Sequence, residues 1–344
     1  MILKDSAVLV IGGTGSLGSA FLKRLLSFGP DAPSSVTVFS RDEAKQTKLK
    51  EQIDELLRNI QSPPNIQFKF RLGDVRDQDS LYTAITGHDI VIHAAALKQV
   101  DRCEHFPDQV VKTNINGAMN LVSAIEKHPS PPSLVVGIST DKACLPVNAM
   151  GITKAMQEKI FIAANSRCLK TRFVSVRYGN VLASRGSVVP LFHRQAREGR
   201  DITVTHANCT RFFLTLGEAV ETILHAIAHG KNGEIVVPKI RSFHMINIAK
   251  SLAKEADVAV RIIGMRGGEK IHETLISNQE ARRMRKEAGY YIIKPENRST
   301  PPEDSEVSAA WEFTSDLEPL SEGETDHFLA ENKMTLEDTP VFDL

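Results

Sequence analysis

The sequence predicts an α/β fold: a doubly wound, mainly parallel sheet carrying a smaller, mixed α/β domain. Three observations predict it. Short, nearly all-apolar, β-branched runs alternate with stretches of helical apolar spacing through the first half of the chain, as expected of strands covered by helices on both faces. A glycine-rich turn joins the first such strand to the first such helix. After about Gly179 the alternation gives way to shorter, mixed elements.

Taken in order, residues 7–11 form a short β-branched run, and residues 19–27 follow the glycine turn with helical spacing. Residues 35–39 are the second strand, and residues 44–60 read as a charged amphipathic helix. Strands are expected at 67–72, 89–94, 133–138 and 173–178, with helices at 79–85, 113–127 and 150–164 between them. Three regions result: 1–180 around the sheet, 181–295 mainly for a substrate, and an acidic tail from 296 to 344. Only Arg298 and Lys333 are basic in that tail, while Trp311, Phe313, Leu317, Leu320 and Phe328 offer apolar anchors. It is expected either to hang free or to dock, for example on a neighbouring subunit. There are no internal repeats.

The 344 residues carry 42 basic and 42 acidic side chains, so no global field draws the chain to nucleic acid or to an anionic membrane. Four cysteines, none in a C-x-x-C pair, read as free thiols of a reducing compartment and give no zinc spacing. No apolar run approaches the ~18 residues that cross a bilayer, and the opening Met-Ile-Leu-Lys-Asp is not a leader. A soluble, cytoplasmic protein is expected.

The turn after the first strand reads Gly12-Gly13-Thr14-Gly15-Ser16-Leu17-Gly18. Glycines at 12, 15 and 18 let the backbone approach a pyrophosphate, and the helix that follows offers free N–H groups. A dinucleotide cofactor is expected there. The second strand ends in Ser40-Arg41-Asp42, with Lys45 one helical turn on. NAD folds usually place an acid at this strand end, whereas an arginine binds a 2′-phosphate through two charge-assisted bonds. Arg41 therefore favours NADP over NAD, although Asp42 beside it argues the other way. Asp74 and Val75, after the third strand, are expected near the adenine, and Ala94, Ala95 and Ala96 along the cofactor.

The fifth strand runs into Ser139-Thr140-Asp141-Lys142-Ala143, then Asn148-Ala149-Met150-Gly151-Ile152-Thr153-Lys154. Polar residues at the C-terminal end of such a strand stand beside the cofactor crevice. Here the sequence resembles the inverting nucleotide-sugar 4,6-dehydratases, specifically the UDP-N-acetylglucosamine 4,6-dehydratases of surface-glycan synthesis. The same resemblance runs through His93 to Lys98, Lys112-Thr113-Asn114, Arg177-Tyr178-Gly179-Asn180-Val181, Ser184 to Pro190, Thr210-Arg211-Phe212 and Arg266 to Glu273. It covers about residues 5 to 295. One position departs from the wider superfamily pattern Tyr-x-x-x-Lys. Met150 stands at the tyrosine, with Lys154 retained, and a thioether transfers no proton. Met at this position resembles the capsule-type branch.

The resemblance implies hydride removal from C4, loss of water across C5 and C6, and hydride return to C6, with the cofactor regenerated. It implies Asp141 as the acid for the 6-hydroxyl and Lys142 as the base at C5, reprotonation from the opposite face giving an L-sugar. A lysine base must be neutral, and burial with Lys154 as a cationic neighbour is expected to lower its pKa. Thr140 is expected to hydrogen-bond the C4 oxygen and Lys154 the nicotinamide ribose. With Met150 inert, Lys142 or a water held by Thr140 is expected to serve C4. Arg211, Arg266 and Glu269 match family positions near the nucleotide, Asn180 one near the sugar diphosphate, and Lys98 reads equally as a second cation near the site or as a surface lysine. Glu269 and Glu273, four apart, are expected to share a helix face. His272 lacks a partner at ligand spacing, so no metal is expected. A homo-oligomer is implied, a hexamer by resemblance. The competing readings are a UDP-sugar epimerase and a catalytically silent NADP-binding scaffold.

Overall fold

The computed structural model describes residues 3–182, 184, 187–296 and 311–338. Six parallel strands follow the alternation read from the sequence: β1 (Ala7–Ile11), β2 (Ser35–Ser40), β3 (Gln67–Leu72), β4 (Ile90–His93), β5 (Leu134–Ile138) and β6 (Arg172–Val176). They lie in the order β3-β2-β1-β4-β5-β6, the doubly wound arrangement in which the crevice opens beyond the strand ends where the order reverses.

Alternate side chains of these strands face opposite helical layers. Val8, Val10, Val36 and Val38 pack against α1 (Ser16–Leu25) and α2 (Glu43–Asn59). Leu9, Ile11 and Val91 pack against α3 (Gln78–Ile85) on the other face. Then come α4 (Val100–His105), α5 (Pro107–Val110), a π-helical turn at Val111–Ile115, α6 (Asn116–Lys127) and α7 (Ala149–Ala164). The expected single helix at 113–127 thus begins as a π turn. Its Asn114 leaves the helical pattern to hold the loop after β4. The Asn114 amide oxygen accepts from Leu97 N (2.8 Å), and its NH2 donates to Leu97 O (3.0 Å) and to Thr153 Oγ1 of α7 (3.0 Å). Local π-bulges of this kind often mark functional sites.

Beyond residue 180 the chain divides between two places. Six elements there are β7 (Asn180–Val181), α8 (Val188–Arg197), β8 (Ile202–Val204), β9 (Thr210–Leu214), α9 (Leu216–His229) and β10 (Ile235–Pro238). They are followed by β11 (Arg241–His244), α10 (Met245–Ala256), β12 (Val260–Ile262), β13 (Thr274–Ile276) and α11 (Asn278–Ala281). Last before the tail come β14 (Met284–Glu287) and β15 (Tyr290–Ile293). Capped by a Thr215–Glu218 box, α9 joins the layer of α1, and β10 pairs in parallel with β6. β15 and β14 then extend the sheet antiparallel to nine strands. The smaller unit gathers α8, β8, β9, β11, α10 and β12 around Phe192, Phe213, Phe243 and Leu252, whereas β13 and α11 pack against β10 and β15. The expected division at 180 is therefore not a division in space.

Within the described part of the tail, β16 (Phe313–Thr314) pairs with β13, and β17 (Pro319–Leu320) with β11. α12 (Glu322–Glu331) buries Phe328 and Leu329 against the smaller unit. This segment packs on its own chain. Leu317, expected as an anchor, is about half exposed at 52%. Among the described residues no helix is long and apolar enough to cross a membrane.

Candidate functional site

A cleft of about 1560 Å³ runs from the glycine turn, past the ends of β4 and β5, to the smaller unit. Its cofactor end is lined by Gly12, Thr14, Gly15, Ser16, Leu17 and Gly18, by Ser40, Arg41 and Lys45, and by Val75 and Ala94 to Ala96. The glycines are required by contact. Gly12 has φ +84°, and a Cβ there would sit 2.7 Å from Ala95 N; one on Gly18 would sit 2.5 Å from Gly13 Cα. The helix thus starts hard against the strand, with its N-terminus facing the cleft, a cradle that fits a pyrophosphate.

Asp42 lines the cleft as well, but its carboxylate is engaged at the start of α2. It caps α2, accepting from Lys45 N (3.0 Å) and pairing with Lys45 Nζ (2.8 Å). Asp74 is turned to Arg76, which donates from Nε and Nη2 (3.0 and 2.8 Å), and it lies 3.7 Å from Arg41. Although burial favours the neutral acid, Arg76 holds the Asp74 carboxyl below the usual range. Arg76 was not singled out from sequence. It follows the strand end by four residues, where a helical or strand period gives no hint of it.

At the other side, β5 ends and a short 3₁₀ turn, Asp141–Ala143, begins with Thr140 as its cap. Thr140 Oγ1 donates to Asp141 Oδ1 (2.8 Å) and accepts weakly from Lys142 N (3.4 Å). Lys142 Nζ is the hub of a buried cluster: 3.1 Å from Asp141 Oδ1, 3.3 Å from Glu273 Oε1 and 3.5 Å from Asn180 Oδ1. Asp141 is wholly buried behind the cleft wall, while Thr140, Lys142 and Glu273 line it.

The electrostatics of the two lysines reverse the expectation for Lys142. Burial works against its charge, but the Asp141 and Glu273 carboxylates outweigh it and hold Lys142 above the usual lysine range. The cation facing it is Arg211, not Lys154. Lys154 is the depressed one: burial pushes it down to about 7, only partly opposed by Glu158. Its Nζ donates to Gln157 Oε1 at 2.6 Å, a partner one helical turn away. Asp141 is raised, first by burial and then by Glu273, despite Lys142. Glu273 is lowered, because Lys142, Arg211 and Lys270 together overcome its burial.

Met150 lines the cleft and is anchored by Cys103 and Val110. Tyr178, also on the cleft wall, is buried, and burial pushes its phenol up. Asn180, Arg211, Arg266, Glu269 and Lys98 all line the same cleft. Arg211 is already engaged with protein: Nη1 donates to Thr210 O and Ile271 O, Nη2 to Glu269 Oε1 (2.8 Å), and Nε lies 3.9 Å from Glu273 Oε1. It fastens the 266–273 segment to β9. That segment is irregular, with a turn at Gly267–Gly268, and not helical, so Glu269 and Glu273 share no helix face. Gly268, at φ +73°, breaks any helix there. Arg266 is half exposed and pairs loosely with Asp101 (3.8 Å). His272 bonds Thr210 Oγ1 (2.8 Å), a structural role. Of the Ser184–Pro190 motif, Arg185 and Gly186 lie outside the described residues.

A family model described as polysaccharide biosynthesis protein matches residues 8–295. A UDP-glucose 4-epimerase of Rickettsia akari is 39% identical over 299 residues, 86% of this chain and 84% of that protein. The X-ray structure of Pen from Bacillus thuringiensis superposes with a TM-score of 0.86 at 31% identity, covering 97% of this chain and 100% of that one. A dTDP-glucose 4,6-dehydratase of Streptomyces venezuelae, solved with NAD and TYD bound, shares the fold at 22% identity and a TM-score of 0.64, over 77% and 86% of the two chains.

Proposed function

Because this chain belongs to the polysaccharide biosynthesis protein family, we propose that it dehydrates a UDP-N-acetylhexosamine, taken as UDP-N-acetylglucosamine, across C5 and C6 with inversion at C5. The observation that carries this reading is the Asp141–Lys142–Glu273 cluster, with Lys142 and Glu273 on the cleft wall and Asp141 behind it. A 4-epimerase needs proton transfer only at one hydroxyl. A buried acid, a lysine and a second carboxylate supply both a proton donor and an acceptor for removing water from carbon.

The cradle at Gly12 and Gly18 suits a nicotinamide dinucleotide, and Arg41 with Lys45 favours the 2′-phosphorylated form. Held there, such a cofactor would supply the hydride acceptor and donor that the sugar's rearrangement needs. The protein's residues do the rest. Asp141, whose pKa burial raises, is the acid for the departing 6-hydroxyl, beside Thr140 at the edge of the cleft. Lys142 accepts the C5 proton once its own has moved away. Lys154 orients the nicotinamide ribose, and Asn180, Arg266 and Glu269 receive the nucleotide end.

A second reading, UDP-sugar 4-epimerase, is favoured by the name of the Rickettsia relatives. One experiment separates the two. The protein is incubated in D2O with UDP-N-acetylglucosamine and catalytic NADP, and the sugar is followed by NMR. The dehydratase gives a 4-keto-6-deoxy L-sugar with deuterium at C5. An intact 6-CH2OH with a changed configuration at C4 would establish the epimerase instead.

A further inference from the structure

We propose that Glu273 is a positioning residue of the reaction, receiving from Lys142 the proton that the lysine must lose before its amine can act as a base. This inference rests on the dehydratase reading. The contact is direct: Glu273 Oε1 lies 3.3 Å from Lys142 Nζ. The transfer leaves a neutral amine and a carboxylic acid, and the amine then takes the C5 proton. Nothing is oxidised, and no other reactant is needed.

Three features of the fold support it. Glu273 is nearly sealed from water, and its Oε2 has no hydrogen-bond partner, so the carboxyl has room for a proton without breaking a bond. Its backbone is gripped at both ends by the tail segment. Glu273 N donates to Ser315 Oγ (2.9 Å), and Ser315 N donates to Glu273 O (2.8 Å). Ser315, itself wholly buried, also bonds Thr210 Oγ1 at 2.7 Å. Finally, the resting pair is charged, so the transfer is uphill until something changes. A sugar entering the cleft excludes the water that reaches Lys142, and loss of solvent favours the neutral pair over the ionic one.

The charged groups facing Glu273 are Lys142, Arg211 and Lys270, with Asp141 beyond Lys142. Removing the Glu273 charge therefore leaves Lys142 with Asp141 as its remaining carboxylate and Arg211 opposed to it. The test uses the full chain and three variants, Glu273→Gln, Glu273→Asp and Ser315→Ala. Labelling of Lys142 by an amine acylating reagent, read by peptide mass spectrometry against pH without substrate, reports its proton directly. In Glu273→Gln the half-labelling pH is expected to move down. Turnover of UDP-N-acetylglucosamine near pH 7 is expected to fall roughly 100-fold with KM little changed, and to recover as pH rises, because solvent then takes the proton. Glu273→Asp, which keeps the acid, restores most of the rate; Ser315→Ala lowers it by a smaller factor. An unmoved labelling curve, or a Glu273→Gln enzyme with the parental rate and pH profile, overturns the inference. If the labelling curve moves while even the parent leaves UDP-N-acetylglucosamine untouched, the dehydratase reading fails, and the Glu273–Lys142 exchange stands on the labelling.

Discussion

Lys154 carries a penalty that the folded protein can relieve only by losing a proton. Burial lowers its pKa from 10.5 to about 7. Between those values the unfolded chain binds the proton and the folded one does not, so stability must rise with pH there, by at most about 1.4 kcal/mol per unit. Below about 7 the penalty is complete. We therefore expect the cofactor-free protein to gain roughly 2–3 kcal/mol between pH 7 and 9 from this group, and Lys154→Met to flatten that rise in urea melts run at several pH values. An equal slope in the variant would contradict it. The two lysines also show what the sequence could and could not convey. Thr140, Asp141, Lys142 and Lys154 were legible as a group because each follows a strand end or a helical period beside a glycine turn. Which lysine is charged was not legible. That depends on Glu273, which lies 131 positions from Lys142 in sequence and 3.3 Å away in space.

Among elements, the junction of β6, α7 and α11 depends on one buried arginine. Arg177 donates to both oxygens of Glu158 (3.0 and 2.6 Å) and of Glu280 (2.9 and 2.8 Å), and Ser139 Oγ closes on Glu158 at 2.5 Å. Breaking such a group by removing one partner strands the others' charges. Arg177→Leu should therefore cost about 3–5 kcal/mol in denaturant unfolding; a loss below 1 kcal/mol would mean that water reaches the carboxylates. The same junction predicts an acid limit. Despite its burial, Arg177 holds Glu280 down from 4.5 to about 2. Its contribution is complete above about pH 4.5 and disappears as pH falls toward 2. Strands and helices of this sheet were readable from hydrophobic period alone, whereas the 266–273 segment was not. Its four-residue carboxylate spacing looked helical, but Gly267 and Gly268, present in the sequence, were the better signal.

For the molecule as a whole, the tail joins fold to site. Its apolar residues were visible in the sequence, but their targets were not, because two-residue strands such as β16 and β17 have no period to read and pair with partners far along the chain. In the structure Phe313 meets Phe212 at a ring separation of 4.8 Å, Phe328 meets Phe243 at 4.8 Å, and Ser315 holds Glu273 between them. Each fully buried aromatic or leucine contributes roughly 1.5–3 kcal/mol, so Phe328 and Leu329 alone anchor α12 firmly. A chain ended at residue 310 should then lose stability mainly in the smaller unit, whose core would be opened along α10 and β11, while the nine-stranded sheet keeps its own two-faced core. Hydrogen exchange can separate the two: protection should drop across residues 202–256 and in the 266–276 segment, with β1, β4 and β5 little affected. Activity should fall further than the sheet's stability does, because Glu273 loses the Ser315 grip on both its backbone groups. Retained turnover in the shortened chain, with exchange unchanged at Glu273, would show that β9 and Arg211 suffice to hold the carboxylate in place.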